Sequence, residues 1–274
     1  MVISVITPVF NGEKFIESCI QNVIEQNNSL VEHIIIDAVS TDKTVEIIRH
    51  YADKYPHIKW VSEKDEGQSD AMNKGIKMAR GEIIGVLNVD DFYESDVLNR
   101  VQDILEQQPN PTFLVGNCNL WNDDEEIFHI NKPKDLRLLA LLSGRSCLPF
   151  NPSAYFYHKS LHEKIGLYKV DEHYGMDTDF IIKAVKSANI TYMDEIWGNY
   201  RYIAGTKTFE SVQSGHHYQI VNNIFQEHKQ SLSSWQILQI HFLIFRNRVE
   251  FYLKHHSLFL PMLKTKIKFL MGHK

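Results

Sequence analysis

VISVITPVFNGEKFIESCIQNVIEQ, residues 2–26, changes its period halfway along. VISVIT (2–7) is β-branched and apolar apart from one serine, the composition of a buried strand. Phe15, Ile16, Cys19, Ile20, Val23 and Ile24 then recur in helical steps, which predicts a helix from about Gly12 to Gln26. A strand joined to a helix by so short a turn is the repeating unit of a layered α/β domain, and the next seventy residues repeat it. HIIIDA (33–38) is a second strand, followed by a helix that Ser40 or Thr41 caps and on which Val45, Ile48 and Tyr51 or Ala52 face inward. IKWVSE (58–63) is a third strand. Ala71, Met72, Gly75, Ile76 and Ala79 mark a helix closing at Gly81, EIIGVLN (82–88) is a fourth strand, and Ser95 caps a helix carrying Val97 or Leu98, Val101, Ile104 and Leu105.

The second hundred residues are less regular. TFLVGNCNLW and SAYFYH have strand composition, DLRLLALLSG and DTDFIIKAVKSA that of helices, and ITYMDEIWGNYRY supplies one or two short strands. Beyond about Phe209 the pattern is helical. The chain shows no internal repeat or low-complexity linker, so one domain over 1–209 with a helical extension over 210–274 is expected.

Bulk composition narrows the function. With 274 residues and 43% hydrophobic side chains the chain fills a sizeable core, and a net charge of -5 argues against a general nucleic-acid binder. Three widely spaced cysteines, Cys19, Cys118 and Cys147, suggest neither a disulfide framework nor a zinc cluster, but reduced thiols of a cytosolic protein. MVISVITPVF begins a strand at once, without the basic and apolar regions of a signal peptide, and no apolar run reaches about 18 residues, so export and membrane spanning are not expected.

Polar residues gather where the predicted strands end: Thr7, Pro8 and Asn11 after the first, Asp37 after the second, Glu63, Lys64 and Asp65 after the third, and Asn88, Asp90 and Asp91 after the fourth. Ligands of open α/β sheets bind at the carboxyl ends of the strands. Adjacent carboxylates disfavour joint ionisation, and a hard divalent cation such as Mg²⁺ or Mn²⁺ relieves that conflict while attracting a diphosphate. Asp90 and Asp91 are therefore placed to hold such an ion. Neither G-x-x-x-x-G-K-[ST] nor G-x-G-x-x-G occurs, which excludes the P-loop and dinucleotide fingerprints. Each acid also has a plainer reading: Asp90 and Asp91 as turn and cap, Asp37 as a turn former before Ser40, and Asp177 and Asp179 as first-turn acids at a helix start.

Three blocks, ISVITPVFNGEKFIESCIQNVIEQ, IIIDAVSTDKTVEII and DEGQSDAMNKGIKMARGEIIGVLNVDD, follow one another in an order and spacing that resembles the family-two inverting glycosyltransferases of GT-A fold. The resemblance is dense over residues 3 to about 100 and looser over 149–203. It implies a Rossmann-like mixed sheet flanked by helices, with a nucleotide-binding half (1–100) and an acceptor half (110–209). It implies that Thr7, Pro8 and the neighbouring turn with Asn11 line the nucleotide pocket together with Asp65, and that Asp37 contacts the base. Asp90 would lie near the ribose or sugar, and Asp91 would be the direct metal ligand of an Asp-x-Asp-like motif that here reads Asn88-Val89-Asp90-Asp91, with Asn in its first position. YGMDTDFIIKA (174–184) resembles the block that supplies the catalytic base, which assigns Asp177 with Asp179 as second candidate or support. NYRYIAGTKT (199–208) resembles a segment from which Arg201 or Lys207 reaches the diphosphate.

The expected activity is metal-dependent transfer, with Mn²⁺ or Mg²⁺, of a sugar from a nucleotide-diphosphate sugar, a UDP-sugar first, to a glycan or lipid-linked glycan of a surface polysaccharide. A sugar-nucleotide nucleotidyltransferase and a non-catalytic carbohydrate-binding module are the alternatives. From Arg246 onward seven Lys/Arg face one acid, Glu250, so this tail carries +6 and residues 1–245 carry -11. A basic amphipathic segment over 235–274 suits either peripheral contact with an anionic membrane from the cytoplasmic side or a helical cover or oligomer contact.

Overall fold

The computed structural model describes residues 1–171 and 174–254. The chain runs β1 (Ile3–Val9), α1 (Ile16–Glu25), β2 (Val31–Asp37), α2 (Thr44–Lys54), β3 (Ile58–Ser62), α3 (Gln68–Met78), β4 (Ile83–Val86), β5 (Phe92–Tyr93) and α4 (Val97–Leu105). It continues with β6 (Thr112–Trp121), β7 (Ile127–Asn131), α5 (Leu138–Leu142), β8 (Tyr155–His158), α6 (Leu161–Ile165), α7 (Met176–Ser187), β9 (Asn189–Arg201), α8 (Lys207–Gln213), α9 (His216–Lys229) and α10 (Ser234–Lys254).

One mixed sheet organises these elements in the order β3-β2-β1-β4-β8-β6-β9-β5, with β7 paired to β6. The β3, β2, β1 and β4 strands are mutually parallel, so their carboxyl ends share one rim. β8 enters antiparallel beside β4 and ends the parallel half. β1 is buried along its whole length because helices cover both faces, which is why its sequence is a near-continuous apolar run rather than an alternation.

Local chemistry shifts several predicted boundaries. α1 starts at Ile16 because Gly12–Phe15 form a turn in which the Phe15 and Ile16 amides both donate to the Gly12 carbonyl at 2.9 Å. Ser40 and Thr41 do not cap α2, since both bind Asn11 instead, and Asp42 accepts from the Thr44 amide and hydroxyl at the helix start. Asp96, in the left-handed region at φ 64°, precedes α4 in place of Ser95. β9 is one strand of 13 residues, longer than expected, and its far end pairs with β5, a two-residue strand too short for a sequence period. Cys19 and Cys118 are buried and Cys147 is exposed, all three free.

The C-terminal helices join the domain through a shared apolar cluster: Ile224 of α9 and Ile240 of α10 pack with Leu142 of α5 and Ile182 of α7. Among the described residues no helix is long and apolar enough to cross a membrane.

Gly116 in β6 sets the fit of the sheet's second half. A Cβ there would stand 2.5 Å from Cδ2 of Trp197, itself 2% exposed and held against Phe156. Gly116→Ala is expected to cost about 1–3 kcal/mol by overpacking, read as a lower urea midpoint at unchanged slope. A midpoint equal to the parent's would show that Trp197 has room to move.

Candidate active site

A crevice of about 690 Å³ opens at the carboxyl rim of β1, β2 and β4. Pro8, Val9 and Phe10 wall it from β1, Asp65, Gly67 and Gln68 from the loop into α3, and Asn88, Val89 and Asp90 from the loop after β4. Tyr200 closes it from the end of β9, and Thr206 and Thr208 from the start of α8. Gly67 has φ 114°, a conformation that a Cβ disfavours, and its amide donates to the Asp65 carboxylate at 3.0 Å. That turn brings the start of α3 to the crevice wall.

Asp90 and Asp91 part company here. Asp91 is 1% exposed, and both of its carboxylate oxygens are engaged within the protein. Oδ2 accepts from the side-chain amides of Asn88 (2.9 Å) and Asn151 (2.8 Å), and Oδ1 accepts from the Arg201 backbone amide at 3.3 Å. Burial and the neighbouring Asp90 charge raise its pKa well above the ordinary carboxylate value, and the two asparagine bonds oppose that rise. Asp91 thus knots the β4 loop to β9 and to the segment before β8. Asp90 is the member that lines the crevice. Its pKa is raised by burial, against the pull of the Arg201 guanidinium.

Arg201 belongs to the same knot. Its guanidinium donates to the Asp90 carbonyl and lies over the Phe92 ring, 4.6 Å from the centroid. The head group is thereby fixed beside the acid loop. Lys207 opens α8, and its side chain lies outside the described residues.

The other expected contacts divide. Pro8 and Asp65 line the crevice. Thr7 does not: its hydroxyl is buried on the α1 side, 2.9 Å from His33 Nε2 and 3.8 Å from Cys19 Sγ. Asn11, at φ 50°, uses its side-chain carbonyl on the Thr41 amide (2.9 Å) and its own amide on the Ser40 hydroxyl (2.8 Å), so it braces the two loops against each other. Asp37 is fully buried at the end of β2. Its Oδ2 accepts from the Ser62 hydroxyl (2.5 Å) and the Ser40 amide (3.1 Å), while its buried Oδ1 has no partner among the described residues.

Asp177 and Asp179 both sit in the first turn of α7 but have different surroundings. Asp177 is half-buried and accepts from the Tyr155 hydroxyl at 3.2 Å. Its neighbour Met176 places Sδ 2.9 Å from the Ser69 hydroxyl, so the start of α7 abuts the start of α3 beside the crevice. Asp179 faces the C-terminal helices instead, 2.6 Å from Lys183 Nζ and 2.9 Å from His228 Nε2. Lys186 donates to His228 Nδ1 at 3.1 Å, which leaves Nε2 as the nitrogen that donates to Asp179. Burial raises the Asp179 pKa, but the His228 bond and the Lys183 ammonium outweigh it and hold the group at about 2. A carboxylate that acidic and so paired is a poor proton acceptor.

An unfolded aspartate titrates near pH 4. The Asp179 contribution to stability is therefore complete above that value and drains as pH falls through 4 toward 2. Asp179→Asn is expected to lower unfolding stability by about 2 kcal/mol at pH 7, with the gap to the parent closing toward pH 2 in a urea-unfolding series. A gap independent of pH would refute the assignment of the depressed group.

Asn151 and Tyr155 were not singled out by the sequence, and Gln68 fell inside a resembling block without a role of its own. Asn151 lies sixty residues from its partner Asp91, with no local pattern to link them, and Tyr155 has ordinary strand composition. Only the composition of NYRYIAGTKT, which the resemblance singled out, hinted at Tyr200, Thr206 and Thr208. Among the described residues no three His, Cys, Asp or Glu side chains converge as a ready metal cage.

A parallel half-sheet closed by an antiparallel strand, with an acid loop at the carboxyl end of its last parallel strand, defines the GT-A fold of glycosyltransferases. Solved structures agree. Staphylococcus aureus TarS 1–349 in complex with UDP-GlcNAc superposes with a TM-score of 0.70 at 20% identity, over 95% of this chain and 76% of that one. The mannosyltransferase PcManGT from Pyrobaculum calidifontis, in complex with GDP-Man and Mn²⁺, gives 0.54 at 17% identity, over 99% and 88%. At these identities the likeness is one of fold.

The chain belongs to glycosyl transferase family 2, whose family model matches residues 4–166. Mycobacterium tuberculosis MT1564, an uncharacterized glycosyltransferase, is 31% identical over 186 residues, 66% of this chain and 68% of that protein. The uncharacterized glycosyltransferase EpsJ of Bacillus subtilis is 34% identical over 124 residues, 45% of this chain. The match spans 35% of the length of EpsJ and 33% of that of Escherichia coli YibD.

Proposed function

We propose that the protein transfers a sugar from a nucleotide-diphosphate sugar, a UDP-sugar first, to a glycan or lipid-linked glycan hydroxyl in surface-polysaccharide synthesis, with inversion at the anomeric carbon. The observation that carries this reading is the division of labour in the acid pair: Asp91 locked inside by three donors, Asp90 presented to the crevice. Family membership and the nucleotide-sugar complexes of TarS and PcManGT support it.

The residues divide the work as follows. The unpartnered, buried Oδ1 of Asp37 suits the imide N–H of uracil, a strong donor that a carboxylate oxygen accepts well. Asp65 and the Gly67 turn wall the nucleoside side of the crevice. Asp90 would hold Mn²⁺ or Mg²⁺, since such ions commonly take one or two protein carboxylates and complete their shell with phosphate oxygens and water. When bound, the ion neutralises charge on the departing diphosphate. Arg201, anchored on Phe92 and the Asp90 carbonyl, adds fixed positive charge beside that group. Asp177 takes the proton of the acceptor hydroxyl, held in place by Tyr155. A single displacement inverts the anomeric centre.

Nucleotide release from a donor panel, with and without Mn²⁺, tests the reading. Metal-stimulated UDP release with one donor sustains it, pyrophosphate formation points to a nucleotidyltransferase, and no turnover with any donor and any acceptor class overturns it.

A further inference from the structure

The α10 helix carries two apolar faces where packing on the domain needs one. Ile240 and Ile244 face the domain, in the cluster with Leu142, Ile182 and Ile224. On the opposite side Trp235, Leu238, Phe242, Phe245 and Val249 follow in steps of three, four, three and four residues, one continuous stripe. Trp235, Phe242 and Phe245 are each more than 60% exposed. An aromatic stripe of that extent exceeds the scattered apolar exposure ordinary for a protein surface.

Cations frame it. Arg246 lies on one flank of the stripe and Arg248 on the other, and a groove of about 730 Å³ between α5 and α10 brings Arg137 and Arg145 beside Trp235, Leu238 and Phe242. Asp135 pairs with Arg137, and Glu250 with Arg145 and Arg246, so the rim keeps a net positive charge. Arg145 is held toward α10 by Asn247 (3.0 Å) and Glu250 (3.5 Å). The twenty residues after Lys254 contain four lysines and no acid.

We infer that the solvent-facing stripe of α10, with its arginine rim, docks the protein on an anionic lipid surface. Charge selects this occupant. A second copy would set one arginine rim against another. An anionic headgroup layer complements the rim, while Trp and Phe side chains suit the boundary between headgroups and acyl chains. Residues 1–245 carry -11, so an anionic surface repels the body of the protein and attraction concentrates at this one edge. α10 therefore serves both roles open to it from the sequence: one face covers the domain and the other remains for the membrane. This inference is independent of the donor and acceptor proposed above.

Flotation of the full-length chain with vesicles of phosphatidylcholine alone, and with about one-third phosphatidylglycerol, tests it. Binding is expected on the anionic vesicles only. F242E together with F245E is expected to lower it by about tenfold or more with an unchanged melting temperature, because both side chains are exposed. R137S together with R246S is expected to weaken it in the same direction. Equal binding to neutral vesicles overturns the charge argument, and undiminished binding by F242E/F245E overturns the assignment to α10. A chain that floats with neither vesicle but is dimeric in sedimentation, and monomeric as F242E/F245E, assigns the stripe to a second copy instead.

Discussion

Asp90→Ala is expected to lower sugar transfer by about 10³-fold or more and to abolish stimulation by Mn²⁺, with little change in melting temperature. The reasoning is positional. Asp90 lines the crevice, and its raised pKa marks a carboxylate that burial penalises and that a bound cation would relieve. Asp91→Ala is the control that separates the two acids. It leaves the amides of Asn88, Asn151 and Arg201 without their acceptor in a buried knot, so several kcal/mol of stability should go with it. Nucleotide release, a Mn²⁺ titration and thermal unfolding on both variants decide the matter. If Asp90→Ala retains metal-stimulated turnover while a folded Asp91 variant loses it, the roles assigned to the pair are reversed.

Asp177→Asn is expected to reduce kcat by about 10²–10⁴-fold while leaving the donor KM near that of the parent, because a general base acts on the acceptor proton rather than on nucleotide binding. The amide still accepts from Tyr155, so the helix start keeps its geometry. The acid limb of the kcat/KM profile, which reports the free enzyme's base, should disappear in the variant. Retention of more than about a tenth of the parent rate would place the base elsewhere. Lys183 and His228 hold the Asp179 carboxylate, so its loss is expected to act on stability.

How much of this was legible in the chain differs between the halves. β1 to α3 were readable because each is a local pattern: a β-branched run, a helical stripe, a glycine at the turn. β5 and β7 were not, because two residues have no period and because Ile127, Phe128 and Ile130 are exposed rather than alternating with buried neighbours. The caps failed for a tertiary reason. Ser40 and Thr41 have the right chemistry for α2, yet Asn11 of another loop takes both.

By itself the sequence determined that this is a layered α/β protein whose strand ends carry acids, and through the order of its blocks that it resembles family-two glycosyltransferases. Hydrophobic period and residue type are local properties, and they survive in one dimension. Only the tertiary structure decided which acid faces the crevice, since Asp90 and Asp91 are neighbours of identical chemistry. What separates them is Asn151, sixty residues away, whose amide turns Asp91 inward. The same holds for Asp177 and Asp179, parted by a tyrosine on one side of α7 and a histidine from α9 on the other. A carboxylate's role is set by what surrounds it, and those surroundings exist only after the chain has folded.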